Sequence, residues 1–253
     1  MSHSGGTEET LSGYAGAKER GAHILAVTTG GELAERAKAD GAALLLYESD
    51  LQPRAAVPQG FGILLRAMVS LGIAADHDDV VREALTHLRQ VVQTVSGTTR
   101  HAAADLAGRL HGKVPIIYGS GLTADAARRL KGQVSENAKQ TAAWEVIPEQ
   151  NHNAIVGFEF PDDLRDHVVF VMLRTGHENP RHSLRFEFVE SVLAERKIET
   201  ASLQGVGPNR LSHLLTVVFL GDLATVLLAE KNGVDPTPVE IIGELKSRLA
   251  EAS

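Results

Sequence analysis

The chain has 253 residues, of which 43% are hydrophobic and 23% charged, with a formal net charge of −7 and no cysteine. That balance supplies apolar material for one large α/β unit or two ordinary domains, and the acidic excess argues against a nucleic-acid surface while leaving room for a local anion site. Disulfides and thiolate metal centres are excluded, which fits a reducing cytoplasm, and neither a secretory signal nor a run long enough to span a bilayer is expected.

The opening run of Ser2, Ser4, Gly5, Gly6 and Thr7 stands directly ahead of EETLSGYAGAKERGA, a stretch of helical spacing with Leu11, Tyr14, Ala15 and Ala17 at its less polar positions. Hydroxyl- and glycine-rich runs of this kind usually follow a buried strand and hold an anion at a helix N-terminus, where free N–H groups and the helix dipole favour negative charge. No strand precedes this one. HILAVTTGG reads as a short strand ending in a turn, GELAERAKADGA as a helix and ALLLYE as a second buried strand. The alternation predicts a parallel sheet. LQPRAAVPQGFGILLRAMVSLGI carries two prolines and then a long apolar helix. Residues 76–112 read as two helices broken near Ser96 to Thr98, connecting one domain to the next.

The pattern then restarts. Val114 to Tyr118 form an expected strand, GSGLT a turn, and a helix begins near Thr123, whose hydroxyl suits an N-cap. HNAIVGFEF and HVVFVMLRTG continue as strands. The helix HSLRFEFVESVLAERK, the strand IETASLQGV, a long apolar helix at 210–230 and a closing helix at 237–251 complete the chain.

Three places carry chemistry. YGSGLT is either an oxygen cradle made of backbone N–H groups with Ser120 and Thr123, or a tight turn that needs glycine for positive φ. In VSENAK, Glu136 lies off the stripe set by Leu130 and Val134, near the helix C-terminus; it can face a cleft as a general base or be a solvated charge. His152 stands between Asn151 and Asn153, either as a proton carrier whose tautomer the amides fix or as an interface or loop histidine. His177 and His182 flank a loop, and no histidine spacing defines a converging metal-ligand set, so no metal site is expected.

SHSGGTEETL, PRAAVPQGFG, YGSGLTADAARRLKGQVSENAK, EQNHNAIVGFE and GVDPTPVEIIGELKSRL occur in that order. Together they resemble the bifunctional phosphoglucose/phosphomannose isomerase family of two-domain SIS (sugar isomerase) proteins, over essentially the whole chain. The resemblance implies an α/β fold with two SIS-type, flavodoxin-like three-layer αβα domains with parallel sheets. Residues 1–75 are then the remainder of the first domain, 76–112 a helical connector, and 113–253 the second domain with a C-terminal helix. It further implies a cytoplasmic homodimer, without cofactor or metal, that interconverts glucose 6-phosphate or mannose 6-phosphate with fructose 6-phosphate through a cis-enediol.

Residue by residue, the resemblance gives the sugar phosphate to Ser2, Ser4 and Thr7, substrate contacts to Gly119 and Ser120, and proton transfer between C1 and C2 to Glu136. It gives ring opening to His152, supplied across the dimer interface, and to Lys246, and stabilisation of the enediolate to Arg54. These types suit the chemistry: a positioned carboxylate, a nearby cation and an anchor on the remote phosphate. His3 stands where the family often has tyrosine, Gly6 where it often has asparagine, and Ala154 where an acidic residue often follows NHN. The family also carries, ahead of the serine loop, a strand with a Gly-Gly-Ser turn, a helix and a further strand that this sequence lacks. The first domain is accordingly expected to be incomplete, with exposed apolar surface and unpaired strand edges. Two other readings stand beside the isomerase: a SIS-type protein that binds a phosphosugar without turnover, and a metal-dependent phosphomannose isomerase of unrelated barrel fold, against which the helix-rich sequence speaks.

Overall fold

A computed structural model describes residues 1–94 and 98–251; the expected helix break at Ser96 lies outside the described residues. Contacts divide the chain into two units, Met1–Asp76 and His77–Ser253.

The first unit runs α1 (Glu8–Glu19), β1 (Leu25–Thr28), α2 (Gly31–Ala39), β2 (Ala43–Leu46) and α3 (Val57–Ser70). The β1 and β2 strands pair in parallel from Leu25↔Ala43 to Thr28↔Leu46, with α2 as the crossover that a parallel pair requires. Leu11 and Tyr14 of α1 bury against Ala26, Leu33 and Ala37. The Tyr14 hydroxyl donates to Asp40 Oδ2 at 2.9 Å, and Lys18 Nζ reaches Oδ1 at 2.6 Å, joining α1 to the end of α2. Apolar side chains remain exposed along α3, where Val57, Phe61, Leu64 and Met68 face solvent, and at Leu46 of β2.

The second unit contains α4 (Asp78–Gln93), α5 (Thr98–Leu110), β3 (Val114–Ser120), α6 (Ala124–Ala138), β4 (Ala143–Ile147), α7 (Leu164–His167), β5 (Val168–Arg174), α8 (Pro180–Glu195), β6 (Thr200–Gln204), α9 (Arg210–Asn232) and α10 (Glu240–Glu251). Its four strands are all parallel, in the order β4-β3-β5-β6. The central β5 is buried from Val168 to Leu173, as an apolar run covered on both faces must be. One face packs Leu106, Leu110, Leu130, Val134, Val217 and Leu228 of α5, α6 and α9. The other packs Phe186, Val189 and Leu193 of α8 with Phe158, Tyr118 and Phe170. Phe170 meets Tyr118 and Phe158 edge-on, at ring separations of 5.5 and 5.1 Å. The result is the expected α/β architecture with parallel sheets.

Three expectations need correction. AWEVI, where no strand is expected, forms β4. HNAIVGFEF is not a strand: Glu149–His152 and Ala154–Phe158 are 3-10 turns. The reason is local, since Pro148 cannot continue the β4 ladder and Asn153 Oδ1 accepts the Ala154 N–H at 2.5 Å, starting a turn. Finally, α9 does have the length and mean hydropathy, 1.9 over its most apolar stretch, of a bilayer-crossing helix. Its apolar character serves packing, with α4, α5 and α6 laid against it. Asn209 caps its start by accepting from Ser212 N–H at 3.0 Å, and Gly233 ends it in the left-handed conformation.

Candidate active site

In the first unit the serine loop is built against the end of β1. The Ser2 N–H donates to Val27 O at 3.0 Å and Thr29 N–H to His3 O at 3.1 Å, so the opening residues run alongside that strand. Thr29 Oγ1 also donates to His3 O at 2.7 Å. Ser2 is buried; its Oγ accepts the Gly5 N–H at 3.2 Å and shares a hydrogen bond with Thr7 Oγ1, also at 3.2 Å. Ser4 and Thr7 are exposed at the start of α1, Ser4 Oγ accepting the Gly6 N–H at 3.3 Å. The loop thus gathers three hydroxyls at a helix N-terminus, the arrangement that suits a phosphate. Its tightness comes from two glycines of positive φ: a Cβ on Gly5 would lie 1.8 Å from Gly30 O, and one on Gly31 would lie 2.3 Å from Ser4 O. Arg54 is half-buried in the turn before α3.

In the second unit the end of β3 is closed. Gly119 and Ser120 are buried; Thr123 Oγ1 accepts the Ser120 N–H at 3.0 Å and sits 3.0 Å from Leu173 O, to which it donates. The expected N-cap role of Thr123 is therefore corrected: its hydroxyl turns inward and ties β3 to β5. Ser120 Oγ is buried and faces the Thr123 N–H in a capping-box arrangement, with no closer hydrogen-bond partner among the described residues. Glu136 stands elsewhere, at the last turn of α6 on the wall of a cleft of about 720 Å³ that Lys139, Gln140, Val234, Val239 and Ile242 also line. Lys246 is exposed on α10, one turn beyond Ile242.

His152 is exposed on the first of the two 3-10 turns. Its flanking amides donate to other groups, Asn151 to Gln150 Oε1 at 2.9 Å and Asn153 to Glu149 Oε1 at 3.3 Å. A second cleft, of about 570 Å³, opens beside them between Trp144, Glu145, Glu149 and Gln150. Burial, and secondarily the Glu149 charge, push the Glu145 carboxyl above its ordinary range.

Ser2, Ser4, Thr7 and Arg54 thus belong to the first unit, and Gly119, Ser120, Glu136, His152 and Lys246 to the second. Residues 99–249 match the family model of the bacterial phospho-glucose isomerase C-terminal SIS domain. A bifunctional phosphoglucose/phosphomannose isomerase of Caldicellulosiruptor bescii is 39% identical over 254 residues, spanning 99% of this chain and 75% of that one. The chain belongs to the bifunctional phosphoglucose/phosphomannose isomerase family. The family member from Aquifex aeolicus is 32% identical, over 98% of this chain and 74% of its own. The crystal structure of a hypothetical protein from Thermus thermophilus shares the fold, with a TM-score of 0.73 at 17% identity, covering 100% of this chain and 70% of that one.

Two groups beside the candidate residues, one in each unit, are not expected from the sequence. Thr28 and Thr29 hold the serine loop from beneath through His3 O; the TTGG stretch was legible only as a strand end. Lys139 ends α6 in a left-handed conformation, φ +54°, where glycine or asparagine is the usual choice, so no residue preference pointed to it.

Proposed function

We propose that the chain is an aldose–ketose isomerase that interconverts glucose 6-phosphate and mannose 6-phosphate with fructose 6-phosphate. The observation that carries this reading is Glu136, the glutamate of the ENAK motif, on the wall of an open cleft at the end of α6 in a chain of this family. The sugar phosphate docks on Ser2, Ser4, Thr7 and the free N–H groups opening α1, and this remote binding orients C1 and C2. His152 of the partner subunit and Lys246 assist ring opening. The Glu136 carboxylate takes the C2 proton of the open aldose; the C–H electron pair becomes the C1–C2 double bond of the enediolate, and charge passes to O1, where Arg54 steadies it. The proton then returns to C1, the O2 proton passes to O1, and the carbonyl stands at C2. Glucose and mannose phosphates differ only at C2, so both lead to one enediol. The working form is a cytoplasmic homodimer that needs no metal or nucleotide.

A coupled assay on both aldose phosphates, with and without chelator, tests the reading. Turnover of both, insensitive to chelator, is expected. Saturable fructose 6-phosphate binding with no turnover would instead favour a phosphosugar-binding protein. Glu136→Gln should abolish turnover and leave fructose 6-phosphate binding intact; a near-normal rate removes Glu136 as the base.

A further inference from the structure

The last turn of α6 is held by side chains. The final carbonyls of a helix lack partners within it, and a left-handed glycine usually follows to turn the chain away. Here the position is Lys139, a residue whose Cβ makes that conformation cost about 1–2 kcal/mol. Its backbone N–H reaches Val134 O. Its ammonium donates to Glu136 O at 2.7 Å and to Pro236 O at 3.2 Å. Pro236 belongs to the stretch between α9 and α10 that forms the far wall of the Glu136 cleft. The same turn is braced from below: buried Asn137 donates to Thr225 Oγ1 at 2.9 Å, and Asn232 Nδ2 donates to Ala138 O at 3.0 Å. Glycine would end the helix without strain. What lysine adds is a charged donor that bridges both walls of the cleft.

The geometry points to Lys139 as a positioning residue, a strap that holds the chain entering α10 against the turn carrying Glu136. The proposal rests on the reading of Glu136 as the base. Losing the strap lets the segment at 234–239, and with it the start of α10, move relative to the carboxylate, and a displacement of about 1 Å at a reacting centre costs up to about 100-fold in rate.

The test uses the full chain with Lys139→Gly, Lys139→Arg and Glu136→Gln. Lys139→Gly removes the ammonium and the left-handed strain together, so it should melt at or above the wild-type temperature. Its kcat should nevertheless fall about 10- to 100-fold, with KM for glucose 6-phosphate within about twofold. Lys139→Arg, which keeps a charged donor, should recover most of the rate. Wild-type kcat in Lys139→Gly, or a joint loss of melting temperature, kcat and KM, overturns the strap. If Glu136→Gln stays active, the base reading fails instead, whatever Lys139 does. Independently of turnover, amide exchange at 234–239 should quicken about tenfold in Lys139→Gly and return toward wild type in Lys139→Arg; unchanged exchange overturns the strap even in an inactive chain.

Discussion

Gly119→Ala distinguishes packing from ligand contact at the end of β3. Gly119 is buried, and an added Cβ would lie 2.3 Å from Thr123 O, 2.7 Å from Thr123 C and 3.0 Å from Ala127 Cβ. Two of these are backbone atoms that no rotamer can move, so strand and helix must part by roughly 1 Å in an interior packed as densely as an organic crystal. Parting them stretches the bonds of Thr123 Oγ1 to the Ser120 N–H and to Leu173 O. Overpacking of this kind costs about 1–3 kcal/mol and the two weakened bonds add about 1, so the total is about 3 kcal/mol. In a unit of this size that lowers the melting temperature by roughly 6–12 °C. Circular-dichroism melts and fructose 6-phosphate titration would read it. A melt within about 2 °C of wild type with binding intact refutes the close-approach argument, and a normal melt with binding lost makes Gly119 a ligand contact.

Burial pushes the Asp222 carboxyl up, while Arg129, 2.5 Å away, and Gln133 pull it back. Its folded value therefore lies above the unfolded 3.8, and its stabilising share is complete below that pH and lost as pH rises through the folded value. Asp222→Asn carries a neutral side chain at every pH and so does not share that loss. Urea melts from pH 4 to 7 should show the variant's deficit greatest in acid and shrinking toward neutrality; a deficit that grows with pH contradicts the assignment. Ser4→Ala removes an exposed hydroxyl of the anion loop and should raise KM for glucose 6-phosphate about tenfold at an unchanged melting temperature. An unchanged KM takes Ser4 out of the phosphate site.

Much of the architecture was legible because its elements are locally consistent. LAVT, VPIIYGS and VVFVMLR are apolar, β-branched runs closed by turn residues, and each is a strand. AWEVI was not legible, since Glu145 interrupts a short edge strand between Trp144 and Val146. HNAIVGFEF misled for the opposite reason: its apolar side chains serve the core through Phe158, but Asn153 and Pro148 give the backbone a turn to make. Among the candidate residues, the serine loop of the first unit and the ENAK glutamate of the second show in the residue pattern, whereas the inward turn of Thr123 and the reach of Lys139 depend on partners at Leu173 and Pro236, about 50 and 100 residues away along the chain.

The meeting of the Gly5 and Gly31 turns sets which exchanges the serine loop can take. Its exposed hydroxyl positions, Ser4 and Thr7, admit exchange among serine, threonine and alanine while the loop keeps its path. Its glycine positions admit none, because any side chain at either one drives into the carbonyl of the opposing turn. Graded change is thus open to Ser4 and Thr7, which face solvent, whereas any side chain at Gly5 or Gly31 breaks the loop in a single step.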